Sequence, residues 1–502
     1  MRDRLWTGSP WRRRAAALGL GAVAALGQAP FGLWAATLVA LAFALWIAPR
    51  APSGRAAAGF GWWLGTGYFL VALHWIVEPF LVDIGRHGWM APFGLLFMAG
   101  GMALFWGAAG PAARRGPLAF ALALALAEYL RSVILTGFPW ALLGHIWIDT
   151  PVRHLAAFVG PHGLTAVTLV LAAIPAALPH RWPWRAGVGL TGAAVVLGGS
   201  SLWQTTMPAP GPDPEAPMVR IVQPNAPQDE KWQPGRAQFF FERALRLTSD
   251  DGPADLVVWP ETSVPWSLGY AQDALDLVTE AAGGAPAVVG IQRIEGPRYY
   301  NSLVVLGPNA EVTELYDKSH LVPFGEYIPF GEVFGRFGIR GLASNEGGGY
   351  SAGPGGRTIQ LPGIGAALPL ICYEGIFAEE VGAVEPRPRL MLLITNDAWF
   401  GRFSGPYQHL AQARLRAVEQ GLPMVRAANT GVSAMIDARG RVLESIPLGE
   451  TGARDVALPP ALPPTLYART GDWWVVGALL AALALALSRR SSIAIDATRK
   501  SP

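Results

Sequence analysis

The sequence predicts a polytopic α-helical membrane domain of eight spans carrying an extracytoplasmic α/β domain. Three observations point there. Charged residues make up only 15% of the 502, AVILMFWYC residues reach 51%, and Trp alone occurs 20 times, whereas an average soluble protein is about 25% charged. Mean hydropathy is correspondingly positive, at +0.30. Uncharged apolar stretches fill the first 203 residues and return once near the C-terminus. Between them, over roughly 204–470, charge comes back and short β-branched runs alternate with helical patterns. A single Cys excludes an intrachain disulfide and any Cys-rich metal site. The net charge of +3 is small and the Arg clusters sit beside apolar runs, which argues against a nucleic-acid surface.

The spans come first. No charged residue occurs from Ala15 to Pro49, too long a run for one helix of about 20 residues. Gln28-Ala29-Pro30 divides it, so a tight helical hairpin over roughly 12–28 and 31–49 is expected. Further apolar stretches lie at about 57–77, 89–111, 117–135, 155–179 and 186–203. A last one, 473–488, opens with Trp473-Trp474, a residue type favoured at membrane interfaces. The first stretch follows Arg12-Arg13-Arg14 without a small-residue cleavage pattern behind a short apolar core, and reads as an uncleaved anchor. Basic residues set the orientation. They crowd the N-terminus (Arg2, Arg4, Arg12, Arg13, Arg14) and the tail (Arg489, Arg490, Arg499, Lys500). They also mark alternate connections, with Arg50 and Arg55, Arg114 and Arg115, and Arg181 and Arg185, while the other connections hold only Arg86 and Arg153. Both termini are therefore expected in the cytoplasm and the insert on the opposite side. The limits that follow are a membrane domain over 1–203, the insert over 204–470, an eighth span over 471–490 and a cytoplasmic tail over 491–502.

Within the insert, Val219–Val222, Leu256–Trp259, Val288–Ile291, Leu303–Leu306, Leu368–Ile371 and Leu390–Ile394 read as buried strands. Helical patterns lie between them at 235–249, 271–282 and 405–420. Such alternation predicts a layered α/β domain. The Gly-rich stretch 347–356 lacks a strand-to-helix setting and reads as a loop rather than a phosphate cradle. No internal repeat is visible.

Three apolar runs end in reactive side chains. Leu256-Val257-Val258-Trp259-Pro260-Glu261 leaves a carboxylate past one strand, Leu315-Tyr316-Asp317-Lys318 a lysine past another, and Leu370-Ile371-Cys372 the only thiol. Lysine is rare here, with only Lys231, Lys318 and Lys500 among 39 basic residues. Sites in layered α/β domains gather at the carboxyl ends of strands, so the three can converge. Together they suit nucleophilic acyl transfer: the carboxylate takes the thiol's proton, and the ammonium stabilises charge developing on a carbonyl oxygen. Each also has a plainer reading, with Cys372 a small buried hydrophobe, Glu261 a helix-capping partner and Lys318 a solvated charge. The joint pattern weighs against these, as does a free thiol outside the cytoplasm.

Trp259-Pro260-Glu261, Tyr316-Asp317-Lys318 and Ile371-Cys372-Tyr373-Glu374 resemble the Glu–Lys–Cys triad of the carbon–nitrogen hydrolase (nitrilase) superfamily. Over almost the whole chain the resemblance is to that superfamily's membrane branch, the bacterial apolipoprotein N-acyltransferases. Val222-Gln223-Pro224-Asn225, Asn301-Ser302, Val322-Pro323-Phe324-Gly325-Glu326-Tyr327 and Thr395-Asn396-Asp397-Ala398-Trp399-Phe400-Gly401 are similar to its domain motifs. Glu128-Tyr129-Leu130-Arg131 and Gly137-Phe138-Pro139-Trp140 are similar to its membrane motifs. The resemblance implies an αββα sandwich on the periplasmic side of a bacterial inner membrane, working as a monomer and without a cofactor. It implies that Cys372 takes the sn-1 acyl chain of a phospholipid, preferably phosphatidylethanolamine, and passes it to the amine of diacylglyceryl-cysteine on apolipoproteins. By the same resemblance Glu261 is the general base, Lys318 stabilises the tetrahedral intermediate and Glu326 supports Lys318. Tyr373 and Glu374 would shape the nucleophile's loop, and Trp232 matches an aromatic of the substrate site.

Two aromatic, Gly-containing loops suit substrate entry. One, Pro323 to Arg340, carries Phe324, Tyr327, Ile328, Phe330, Phe334 and Phe337; the other, Ala398 to Tyr407, carries Trp399, Phe400, Phe403 and Tyr407. Trp399 and Phe400 are candidate substrate contacts, the alternative being that such rings only pack the domain. Glu128 and Arg131, three apart within a span, share a helix face and are expected to pair structurally rather than bind a headgroup. The eight His show no metal-binding spacing, His320 is read as a neighbour of Lys318, and Gly431-Val432-Ser433-Ala434-Met435 lacks the second Gly of a serine nucleophile elbow. A membrane-anchored amidase would explain the triad but leave seven leading spans without a purpose. A transporter or receptor would call for charges or broken helices in several spans.

Overall fold

The computed structural model describes residues 2–178, 182–206, 214–249, 252, 254–329 and 349–488. The tail over 491–502, the loop aromatics Phe330, Phe334 and Phe337, and the basic residues Arg181, Arg489, Arg490, Arg499 and Lys500 lie outside them. The chain divides into two compact units. One comprises residues up to His74, Pro92–Thr206 and the chain from Thr470; the other comprises Trp75–Ala91 and Met207–Arg469. The short segment Trp75–Ala91 thus groups with the α/β unit although the sequence reading places it within the first 203 residues.

In the first unit, helices Pro10–Ala25, Trp34–Ile47, Gly54–Ala72, Ala91–Ala109, Pro117–Val133, Ala156–Ala177, Trp182–Thr206 and Trp473–Ser488 occupy the eight apolar stretches. Among the described residues, Ile84–Arg115 and Pro151–Ala177 are long and apolar enough to cross a membrane. Gly54–Ala72 and His74–Leu81, bent by 65° at the break between them, make a third only when taken together as one span, whereas Trp34–Arg50 and Trp473–Ser488 are apolar but shorter. Small residues bring helices together. A Cβ on Gly21 would stand 1.9 Å from the Leu64 carbonyl oxygen, and one on Gly67 2.0 Å from that of Leu18. Glycine at both positions lets the two backbones touch.

Glu128 and Arg131 form a closed buried pair in this unit. Arg131 Nη2 lies 2.8 Å from Glu128 Oε2, and its Nη1 donates to the carbonyls of Phe138 and Trp140 at 2.5 and 3.0 Å. Trp106 Nε1 donates to Glu128 Oε1 at 2.7 Å. Glu128 and Arg131 are 0% and 1% exposed. Their bonds tether the Gly137–Trp140 segment.

The second unit contains two six-stranded sheets. Its strands are β1 (Met218–Gln223), β2 (Leu256–Val258), β3 (Ala287–Glu295), β4 (Arg298–Leu306), β5 (Val312–Asp317), β6 (Ile359–Leu361), β7 (Gly365–Ile371), β8 (Leu390–Thr395), β9 (Met424–Ala428), β10 (Ser433–Ile436), β11 (Val442–Ile446) and β12 (Gly452–Ala457). The sheet orders are β12-β1-β2-β3-β4-β5 and β11-β10-β9-β8-β7-β6. In each, three central strands run parallel and the outer ones antiparallel. The central strands are continuous apolar runs because both faces are covered. Helices Arg236–Thr248 and Gln272–Ala281 bury Phe241, Ala244, Leu275 and Val278 against the first sheet. Helix Gly405–Gln420 buries Ala413 and Ala417 against the second. The sheets meet through β1 with β9 and β10, and β4 with β7. Helix, sheet, sheet and helix therefore stack as four layers.

Candidate active site

Three strand ends bring the reactive groups together. Past β2, the turn carrying Glu261 leans on β3, with the Ser263 and Val264 amides donating to the Gly290 carbonyl at 2.9 and 3.1 Å. A Cβ on Gly290 would stand 2.5 Å from the Thr262 nitrogen, so the turn requires glycine beneath it. Lys318 directly follows β5, and its amide donates to the Asn301 carbonyl on β4 at 2.8 Å. Cys372 follows β7 and opens a short 3-10 turn, Cys372–Ile376. Its φ of 52° is left-handed, a conformation that costs a residue with a side chain on the order of 1–3 kcal/mol.

Glu261, Lys318 and Cys372 are all buried. Lys318 Nζ lies 2.9 Å from Glu326 Oε1 and 3.9 Å from Glu261 Oε1. Asn301 Nδ2 donates to both carboxylates, at 2.6 Å to Glu261 and 3.3 Å to Glu326. The second oxygen of Glu261 accepts from the Asn396 amide at 2.7 Å, and that of Glu326 from the Val322 amide at 2.8 Å. Two carboxylates thus share one ammonium and one side-chain amide, which locks the geometry.

Burial pushes the Glu261 carboxyl above its ordinary value, with Lys318 opposing and Glu326 adding to the rise. Burial likewise raises the Cys372 thiol, reinforced by the Glu261 charge and opposed by Lys318. Burial would lower Lys318, but Glu326 and Glu261 outweigh it and keep the ammonium charged. Both Glu261 oxygens accept hydrogen bonds from neutral donors, the pattern of an ionised carboxylate. The resting set is therefore thiol, carboxylate and ammonium. Such a set moves the thiol proton to the carboxylate as sulfur attacks a carbonyl, with the ammonium facing the charge that develops.

Glu374 ties two strand exits together. Its Oε1 accepts from the Tyr316 hydroxyl and Ser319 amide, both at 2.7 Å, from the Ser319 hydroxyl at 2.8 Å and from the His320 amide at 3.3 Å. Its Oε2 accepts from the Ile371 amide at 2.7 Å. Tyr373 is buried edge-on to Phe377 at 5.0 Å. Trp232 is 42% exposed, and Lys231 Nζ lies 5.3 Å from its ring. That ammonium donates to the Thr262 hydroxyl at 2.9 Å and the Glu261 carbonyl at 3.3 Å; burial brings it down to about 8, Glu261 opposing. A small pocket beside this turn is lined by Lys231, Trp232, Phe240, Thr262 and Asn429.

Not every loop aromatic reaches outward. Trp399 is half-buried, Phe324 and Phe403 are exposed, but Phe400 is packed inside the unit, its ring 5.0 Å from Trp75 and 5.5 Å from His409. Sequence reasoning missed Lys231, Asn301, Asn396 and His409 as neighbours of the reactive groups. The two asparagines lie in motifs visible as strings; His409, inside a helix, has no local signal.

Residues 218–462 match the carbon-nitrogen hydrolase family, and residues 20–174 match the apolipoprotein N-acyltransferase N-terminal domain. A protein of Bradyrhizobium diazoefficiens named apolipoprotein N-acyltransferase is 38% identical, over 96% of each chain. One of the same name from Rhodopseudomonas palustris is 36% identical, over 95% of each. Among solved structures, an amidase from Nesterenkonia sp. aligns at 19% identity and a TM-score of 0.35, over 52% of this chain and 95% of its own. The α/β unit is a carbon-nitrogen hydrolase domain. With both segments matched and relatives alike from end to end, the chain belongs to the apolipoprotein N-acyltransferase family.

Proposed function

We propose that the protein is a bacterial inner-membrane acyltransferase that completes lipoprotein maturation. It moves the sn-1 acyl chain of a phospholipid, phosphatidylethanolamine by preference, to the α-amine of diacylglyceryl-cysteine at apolipoprotein N-termini. The observation that carries this reading is the buried meeting of Cys372, Glu261 and Lys318 in a chain similar to apolipoprotein N-acyltransferases along its length.

In the first step Cys372 Sγ bonds to the ester carbonyl carbon while its proton passes to Glu261, and the oxyanion faces Lys318. Collapse breaks the C–O bond, Glu261 returns the proton to the leaving oxygen, and lysophospholipid departs from a thioester. In the second step the lipoprotein amine attacks that carbonyl and gives a proton to Glu261. The C–S bond breaks, the proton returns to sulfur, and an amide is formed. Ester to thioester is somewhat uphill and thioester to amide is downhill by more, so no further energy source is required. Burial of Cys372 favours this outcome by keeping water from the thioester. Glu326 holds Lys318, Tyr373 and Glu374 shape the nucleophile's turn, and Trp232 and Trp399 border the substrate.

The eight apolar helices act as spans in this reading, with both termini cytoplasmic and the hydrolase domain periplasmic, as the alternating Arg-rich connections support. One copy of the chain supplies the whole triad, in keeping with a monomer. The test is intact-mass spectrometry of the purified chain after incubation with phosphatidylethanolamine, with Cys372→Ser as control. One acyl mass on the wild type, removed by neutral hydroxylamine and absent from the control, is expected. Release of fatty acid with no adduct would identify a hydrolase instead.

A further inference from the structure

A second buried cluster lies against Cys372, and the two steps above make no use of it. Asp397 just past β8, His409 in helix Gly405–Gln420 and Arg426 on β9 are 0%, 1% and 0% exposed. Arg426 pairs with Asp397 Oδ2, and His409 Nδ1 lies 2.8 Å from Asp397 Oδ1. The Thr395 hydroxyl donates to Oδ1 at 2.8 Å. Burial would raise the Asp397 carboxyl, but Arg426 and His409 outweigh it and hold it at about 2. The ring is thus fixed through one nitrogen. Its other nitrogen, Nε2, lies 3.3 Å from the carbonyl oxygen of Cys372. The Asp397 carboxylate and the Cys372 carbonyl oxygen both only accept, so with both contacts made each ring nitrogen carries a hydrogen and the ring donates from both as an imidazolium, a form that burial disfavours and the Asp397 charge favours.

The residue held is the nucleophile itself, in a backbone conformation that side-chain-bearing residues rarely adopt. Such a conformation persists only where its surroundings impose it. Glu374 holds the turn through the Ile371 amide before Cys372; the ring holds it through the Cys372 carbonyl. We infer that His409, oriented by Asp397, is a positioning residue for Cys372, its Nε2–H fixing the nucleophile's carbonyl and with it the direction of the thiol. The inference rests on Cys372 being the nucleophile of the proposed function.

Gln and Asn separate the two ends of the ring, because a Gln amide reaches the place of Nε2 and an Asn amide only that of Nδ1. Cys372 is the only cysteine of the chain, so iodoacetamide labelling of the detergent-purified protein, followed by intact mass, reads this thiol without any substrate. Acylation by phosphatidylethanolamine is the second readout. His409→Gln is expected to keep both rates within about threefold of wild type. His409→Asn is expected to lower both by about tenfold or more, with KM for the lipid unchanged, since a misplacement near 1 Å costs that much. The reverse order, or equal rates in the two variants, overturns the inference: the ring would then serve only to satisfy Asp397. Should His409→Asn not fold, a folded His409→Gln decides, with near-normal rates supporting the role and a tenfold loss overturning it. A wild type that labels normally yet is not acylated counts against the acyl donor, not against His409.

Discussion

Glu261 works among charges of both signs, with Lys318 and Lys231 favouring its ionised form and Glu326 opposing it. A base acts when ionised, so acyl-enzyme formation should climb with pH through the Glu261 titration, which burial has moved above the ordinary glutamate range. Lys231→Met removes one of the favouring cations. The rising limb should then shift to higher pH, and the rate on that limb should fall more than on the plateau. Initial rates of acyl-enzyme formation across the pH range check this; a limb that stays in place would show that Lys231 acts only as a clamp on the Thr262 turn. Glu261→Gln, which cannot accept the proton, should abolish acyl-enzyme formation at every pH, and normal thioester build-up would remove its role as base.

At the level of elements, the site is a set of turns hung from strand ends, and Glu374 joins two of them. Replacing it with Gln leaves one acceptor oxygen where two held five donors. Buried donors left without partners cost about 1–3 kcal/mol each, so the variant should unfold at distinctly lower denaturant, by at least about 2 kcal/mol. An unchanged unfolding midpoint would mean that these turns do not depend on it. The strands before Glu261 and Cys372 were legible because each is an unbroken apolar run ending in an uncommon reactive residue, whereas β5 before Lys318, with Thr313, Glu314 and Asp317 in it, was not legible as a buried strand. Helices Arg236–Thr248, Gln272–Ala281 and Gly405–Gln420 follow the expected ranges closely. His409 and Arg426 were not legible, because what gives them meaning is a bond across the fold to Cys372 and Asp397. Phe400 illustrates the converse: the sequence leaves open whether such a loop aromatic packs or reaches outward, and its buried place beside the Trp75 and His409 rings comes only from the fold.

For the molecule as a whole, orientation is open to a direct check. In a Cys372→Ser background, Tyr270→Cys in the hydrolase domain, where Tyr270 is 85% exposed, should react with a membrane-impermeant maleimide in intact spheroplasts. Pro52→Cys, in an Arg-flanked connection, should react only after permeabilisation; the reverse pattern would invert the proposed topology. Nor does the sequence disclose that the two sheets repeat one another, each with the same succession of parallel and antiparallel neighbours. The repeat lives in strand direction, which leaves no residue signature. One pairing carries a further consequence. The first and last strands of the domain lie side by side, Met218 opposite Ala457, so the chain enters and leaves the sandwich through a single doorway. To the helices on either side of it in sequence, an entire enzyme is a loop: its length can grow or shrink at the far strands while the distance between its two tethers stays the same.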